Sequence, residues 1–342
     1  MKWFSGQRRD DESPMDEDHG PSQLRKLYVP GAPVDESLEE GPGFVLLGGA
    51  QPSAGTKVLM DDAGHSYIAL DGRSYRADIP DILPKDEREA RRLDFQHHLI
   101  RHLMQGNYAA PIAQPASILD SGCGPGRWAV EIAALFPTAN VVGFDILLPV
   151  TPPAGMRMPD NVAFVAGDLL QPLPFASAAF DFVHMRLLFT AIPAASWRSV
   201  VGELLRVTQP GGWMELMESG LPRNGPPEME TLNRWAREVA GRRGIDLDLG
   251  GHIGAFLRAS GIVNVTFHEF DAPVGRSGGR AGQMNAADVV ALYESLRPLL
   301  LAEGVASAQI FDQALAAVRA DAEYGSRPCV RPFYLAYAQR GS

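Results

Sequence analysis

The sequence predicts an α/β fold with a mainly parallel sheet covered by helices on both faces, and three observations predict it. First, short apolar strand patterns alternate with helical patterns from Ser117 onward, at 117–120, 140–145, 162–166, 180–184 and 212–218. Second, the first of these strands runs into Asp120-Ser121-Gly122-Cys123-Gly124-Pro125-Gly126, a glycine-rich turn that opens a helix at about Arg127–Phe136. Third, the second and third strands each end in an acid, Asp145 and Asp168. Glycine takes positive φ cheaply and lets a ligand approach the backbone. A helix N-terminus presents free N–H groups to an anionic ligand group. Together these features make a Rossmann-like nucleotide-binding unit, with its ligand at the carboxyl ends of the strands.

The acids select the ligand. A dinucleotide turn needs G-x-G-x-x-G, which would put glycine at Arg127. An acid two residues before the first glycine suits an ammonium group rather than a pyrophosphate. Asp145 is placed to bind ribose hydroxyls, and Asp168 to accept from an exocyclic amine. Amino-acid head, ribose and adenine together specify S-adenosylmethionine. The candidate cofactor-binding residues are Asp120, Gly122, Cys123, Gly124, Asp145, Ile146, Gly167, Asp168, Leu169 and Met185, the last as a pocket wall. His184, after the fourth strand, is the candidate catalytic residue, able to take a proton from a substrate hydroxyl or amine or else to orient a loop. Arg186 and Glu218 lie at neighbouring strand tips.

Ahead of the core, residues 1–44 carry ten acids against five bases, half of the chain's net charge of −10. So acidic and apolar-poor a segment is expected to stay a solvated, disordered arm. Residues 45–105 are expected to form a β-hairpin or small meander, around Asp-Ala-Gly and Asp-Gly-Arg turns, and then a helix. Pro84 opens that helix, Asp86 and Glu89 have capping-box spacing, and Leu93, Ile100, Leu103 and Met104 share a face. Gln96, His97 and His98 form a polar cluster on it, either packed or facing the ligand.

After the fifth strand, helices are expected at 226–242 and 252–260, a sixth strand at 264–270 and a last strand at 331–338. The intervening residues 271–330 are too many for a structureless connection, and hold helical patterns at 286–303 and 306–324. They are expected to cap the acceptor side, or else to pack against the sheet, with Leu292, Leu296 and Leu299 on the inner face.

The stretches ILDSGCGPGRWAVEIA, VVGFDI, VAGDLLQPLPF, FDFVHMR and PGGWMELME resemble the successive motifs of class I S-adenosylmethionine-dependent methyltransferases. The flanks, LPKDEREARRLDFQHHLIRHLMQGNYAAPI and RPFYLAYAQR, are similar to methyltransferases related to the fungal secondary-metabolism regulator LaeA. The likeness runs from about Tyr75 to Arg340 and departs at Pro125, which removes a backbone donor from the turn. The resemblance implies a seven-stranded, mostly parallel Rossmann-like sheet whose last strand is antiparallel, in a methyltransferase domain at 106–342. It also implies that the helix before the turn covers the cofactor, so that Gln96, His97 or His98 could meet the methionine end or the substrate.

Methyl transfer needs no protein nucleophile or metal, because the sulfonium already activates the methyl group. No zinc-type ligand spacing and no G-x-S-x-G elbow is present. The expected acceptor is a small, largely apolar metabolite, with O-methylation the default. A regulatory S-adenosylmethionine-binding protein and a non-methylating rearrangement catalyst are the alternatives. The acidic balance disfavours nucleic acid. Two cysteines, no signal-peptide layout and no membrane-length apolar run point to the cytoplasm.

Overall fold

A computed structural model describes residues 57–60, 64–149, 152–262 and 264–341. The acidic segment 1–44 and the first part of the expected N-terminal meander lie outside the described residues.

The described chain begins with a small antiparallel sheet of β1 (Lys57–Met60), β2 (Ser66–Leu70) and β3 (Arg73–Arg76). Asp71 and Gly72, both at positive φ (48° and 73°), make the tight turn between β2 and β3. The following helix, α1 (Glu87–Met104), is capped by Asp86, whose carboxylate accepts from Glu89 N at 2.9 Å. Arg73 also grips Asp86, at 2.7 and 3.0 Å, and so fastens the small sheet to the start of α1.

The main sheet holds β4 (Ser117–Ser121), β5 (Asn140–Asp145), β6 (Val162–Ala166), β7 (Phe180–Arg186), β8 (Thr208–Ser219), β9 (Thr266–Pro273) and β10 (Val330–Gln339). Their order across the sheet is β6-β5-β4-β7-β8-β10-β9, with β10 antiparallel to both of its neighbours and β4 to β8 parallel. The order reverses at β4, which lies between β5 and β7, so the crevice at the carboxyl end of β4 is where such a sheet binds its ligand. This is the class I methyltransferase topology.

Apolar cores lie on both sides of the sheet. On one side, Trp128 and Ile132 of α2 (Arg127–Leu135) meet Ile118 and Phe182. On the other, Leu119, Val183, Met185 and Leu216 meet α3 (Trp197–Val207) and α5 (Ile253–Ala259). A third core is built by α4 (Pro227–Arg242), α6 (Gly279–Ala302) and α7 (Ala308–Tyr324). Phe189 and Leu221, which follow the carboxyl ends of β7 and β8, belong to that third core, as do Tyr75, Ile82 and Leu83 from the N-terminal segment.

Three expectations change. β8 begins at Thr208 rather than 212, because a bulge between the Phe180 and Phe182 pairings keeps Pro210-Gly211-Gly212 within the strand. α6 begins at Gly279 rather than 286. Its glycines read as breakers, but Gly282 lets the helix lie against the backbone of Gly275, where a side chain would run into the Gly275 carbonyl. Leu292, Leu296 and Leu299 pack against other helices rather than against the main sheet. They are buried in the helical core with Trp235 and Phe311.

Candidate active site

At the carboxyl end of β4 the chain turns through Gly122, Gly124 and Gly126, all at positive φ (73°, 52° and 79°). Gly122 N and Cys123 N both donate to Phe144 O, at 2.7 and 3.1 Å, and this locks the turn to β5. A Cβ at Gly122 would lie 2.6 Å from Leu188, so only glycine lets the loop after β7 close over the turn. Leu93 of α1 approaches Gly124 from above, so α1 roofs the turn.

Asp145 serves this turn. Its Oδ2 accepts from Gly124 N at 2.8 Å and its Oδ1 from Leu147 N at 3.1 Å. A carboxylate has about four lone-pair sites, so both oxygens keep capacity for ribose hydroxyls. Burial raises the Asp145 pKa, against the opposing pull of Lys85 and the two N–H groups. Lys85, ion-paired with Asp81, comes from the segment before α1. Asp168 caps its own turn, accepting from Leu170 N at 2.8 Å, and Gly167 N donates to Asp145 O at 2.9 Å. The structure therefore brings Asp120, Gly122, Cys123, Gly124, Asp145, Gly167 and Asp168 around three adjacent strand tips. Ile146 is half-buried just beyond Asp145, and Leu169 packs partly into the core under α3.

Met185 and His184 are placed elsewhere than their motif suggests. Met185 is fully buried in the core shared with α3 and α5. His184 projects to the opposite side of β7, where its ring is 2% exposed and stacks on Trp128 with centroids 3.8 Å apart. Its Nδ1 lies 3.1 Å from Asp120 Oδ1. Burial lowers the His184 pKa, against the raising effect of Asp120, so the ring is neutral and donates Nδ1–H to the carboxylate. Asp120 is itself buried, and its Oδ2 has no partner; nor has the neighbouring hydroxyl of Ser121.

Arg186 and the Gln96-His97-His98 cluster, far apart in the sequence, meet in the fold. Arg186 Nη2 lies 2.7 Å from His97 Nδ1, a hydrogen bond, and His97 Nε2 lies 3.2 Å from Glu131 Oε2, within ion-pair distance but without hydrogen-bond alignment. Burial pushes His97 down to about 4, despite the raising effect of Glu131. For Glu131, burial acts upward, but His97, Asn107 and Arg101 together hold it at about 2. Gln96 instead binds Asp288 of α6 at 3.0 Å. The pairing of Arg186 with His97 spans 89 positions, so no local pattern could signal it.

Two buried acids support the loops. Glu218 accepts from Leu188 N (2.9 Å) and Phe189 N (3.2 Å), and burial pushes it up to about 8 against those two bonds. Glu215, unremarked in the sequence, accepts from Ala109 N and Ala110 N and is pushed up to about 7 in the same way. Glu218 shapes a tense loop: Leu187, next to it, sits at a φ of 55°, a sparsely populated conformation for leucine.

These groups fit the three parts of S-adenosylmethionine. Asp120 has a buried, unpartnered oxygen, the glycine cradle leaves room for close approach to the backbone, and Asp145 and Asp168 stand at the next two strand tips. Among the described residues, no helix is long and apolar enough to cross a membrane.

Residues 118–212 match the family described as "Methyltransferase domain". The chain is 34% identical over 203 residues to N-methyltransferase verN of Clonostachys rogersoniana, covering 57% of this chain and 69% of that protein. It is 28% identical over 273 residues to N-methyltransferase tcpN of Claviceps purpurea, covering 75% of this chain and 95% of the relative. It is also 33% identical over 157 residues to the secondary metabolism regulator laeA of Aspergillus niger, covering 44% of this chain and 40% of that protein.

Proposed function

The chain belongs to the class I S-adenosylmethionine-dependent methyltransferases related to LaeA, and from that premise we propose that it methylates a nitrogen atom of a small, largely apolar secondary metabolite in the cytoplasm. The cofactor supplies an electrophilic methyl group on a sulfonium. The protein's share is to hold the two partners in line and keep water away. Asp120 faces the ammonium, Asp145 the ribose hydroxyls and Asp168 the adenine amine. α1 and the loop after β7 cover the turn.

The observation that carries the choice of nitrogen is the burial of His184. A hydroxyl acceptor, the default expectation, benefits from a base that removes its proton as the bond forms. His184 was the candidate for that work, yet its ring is 2% exposed between Trp128 and Asp120 and reaches the site only through Asp120. In this reading it is a positioning residue that fixes Asp120. A neutral amine already owns the lone pair it needs, and can shed its proton to water afterwards. The names of verN and tcpN as N-methyltransferases support the same choice.

The test offers S-adenosylmethionine with a methyl isotope label and a panel of apolar amines, amides and phenols. Mass spectrometry and NMR of the products then locate the labelled methyl group. Labelled N-methyl products support the reading, and labelling of phenols alone overturns it.

A further inference from the structure

Arg186 ends β7 at the mouth of the site, and its environment is unusual for a cation. Among the described residues, no carboxylate lies within ion-pairing distance of it. Its one hydrogen-bond partner is His97 Nδ1, at 2.7 Å. Asp120, Glu131 and Glu215 attract it from farther away while burial lowers its pKa. The guanidinium is half-buried and carries five N–H donors, one of which is used. One strand over, Asp120 Oδ2 is buried without a partner, in a residue paired in register with His184, two positions before Arg186. An unmet acidic acceptor thus lies near an under-used donor fork, and that combination is complementary to an amino-acid zwitterion.

We propose that Arg186 binds the α-carboxylate of the cofactor's methionine end while Asp120 takes its ammonium, with His97 of α1 as the positioning residue that aims the Arg186 fork. This deepens, and rests on, the methyltransferase reading above.

The tautomer of His97 follows. Arg186 can only donate, so Nδ1 must accept, and the ring proton sits on Nε2, facing Glu131. Glu131 is held in turn by Asn107 at 3.1 Å and Arg101 at 3.1 Å. The same logic argues against a metal ion among His97, His98 and Glu131, whose ligand atoms lie within 4.8 Å of one another. A metal on Nε2 would force the proton onto Nδ1, against an Arg186 N–H. The chain Glu131–His97–Arg186 therefore makes α1 part of the cofactor site, and not merely its roof.

The test compares two ligands by calorimetry: S-adenosylhomocysteine, which has the amino-acid end, and 5′-methylthioadenosine, which lacks it. Arg186→Gln should weaken S-adenosylhomocysteine by about tenfold or more, the worth of a charge-assisted bond, and leave 5′-methylthioadenosine nearly unchanged. Arg186→Lys should fall between. His97→Leu should reproduce part of the loss. His97→Gln should restore it, because an amide can accept from Arg186 and donate to Glu131. An equal loss for both ligands, or no loss for S-adenosylhomocysteine, overturns the proposal; the latter with a raised acceptor Michaelis constant would move the carboxylate to the acceptor. Should the Arg186 variants fail to fold, the native protein decides. Equal affinity for S-adenosylhomocysteine and its decarboxylated form overturns the proposal, and weaker binding of the latter supports it. Native protein that binds neither ligand would instead overturn the methyltransferase reading.

Discussion

Asp288 of α6 is the most demanding polar group in the molecule, and replacing it with asparagine should be severely destabilising. Its carboxylate is fully buried and accepts from Arg92 Nη1 at 2.8 Å, Arg331 Nη1 at 2.7 Å and Gln96 Nε2 at 3.0 Å. It thus joins α1, the inserted helix α6 and strand β10. Asparagine keeps the shape but removes the charge. Arg92 would still have Glu89, at 2.7 Å, whereas Arg331 would keep the Ser219 hydroxyl and the Phe333 ring face but no paired anion, and its Nε already lacks a partner. Stranding a buried cation typically costs about 3–5 kcal/mol. At about 2–4 °C per kcal/mol for a domain of this size, the melting temperature should fall by about 6–20 °C in differential scanning calorimetry. Adding Arg331→Met removes the stranded charge and should recover much of that loss. The sign with pH is fixed as well. Burial acts to raise the Asp288 pKa, but Arg92 and Arg331 outweigh it and the folded value is lowered. The stabilisation is therefore complete above the unfolded value of about 4 and is lost as pH falls through the folded one. Native protein and Asp288→Asn should accordingly converge only in acid. A fall of less than about 1 kcal/mol at neutral pH, within the range of an exposed pair, or no recovery in the double variant, would refute the account.

Leu296, 2% exposed in the core of α4, α6 and α7, should cost about 2–5 kcal/mol on replacement by alanine, with cofactor affinity unchanged; normal stability with a raised acceptor Michaelis constant would contradict this packing. Asp145→Ala should weaken S-adenosylhomocysteine by about 1.5–3 kcal/mol for each charge-assisted bond lost, and should also lower the melting temperature, because Gly124 N and Leu147 N lose their acceptor. Calorimetric titration and thermal melts check the two effects. Burial lowers the folded pKa of His97 to about 4 from 6.5, so its share of stability is complete above pH 6.5 and lost as pH falls toward 4. His97→Gln, which cannot titrate, should flatten the stability profile across that interval, and an unchanged profile would show that His97 is not the group responsible.

Much of this architecture follows from local chemistry. Short continuous apolar runs mark β4, β5 and β6 to within a residue, because strands of a parallel sheet covered on both faces have no polar face to alternate with. Three glycines at positive φ mark the ligand turn, because no other residue takes those angles so cheaply at such close approach. Acids at the tips of β4 and β5 and just past β6 announce the ligand, since a parallel sheet exposes its carboxyl ends to the binding crevice. The insertion between β9 and β10 is legible from its length alone.

What the sequence could not determine are the choices made between distant segments. The side of β7 on which His184 emerges depends on register with β4, and that register seals its ring against Trp128. The start of α6 at Gly279 depends on how closely the helix approaches Gly275. Arg186 meets His97 across 89 positions, and Arg92 meets Asp288 across 196. Patterns of two and 3.6 residues set which face of an element is apolar. They carry no information about which polar side chain from far along the chain will face it, and that is settled only when the elements pack and each buried charge must find its partner.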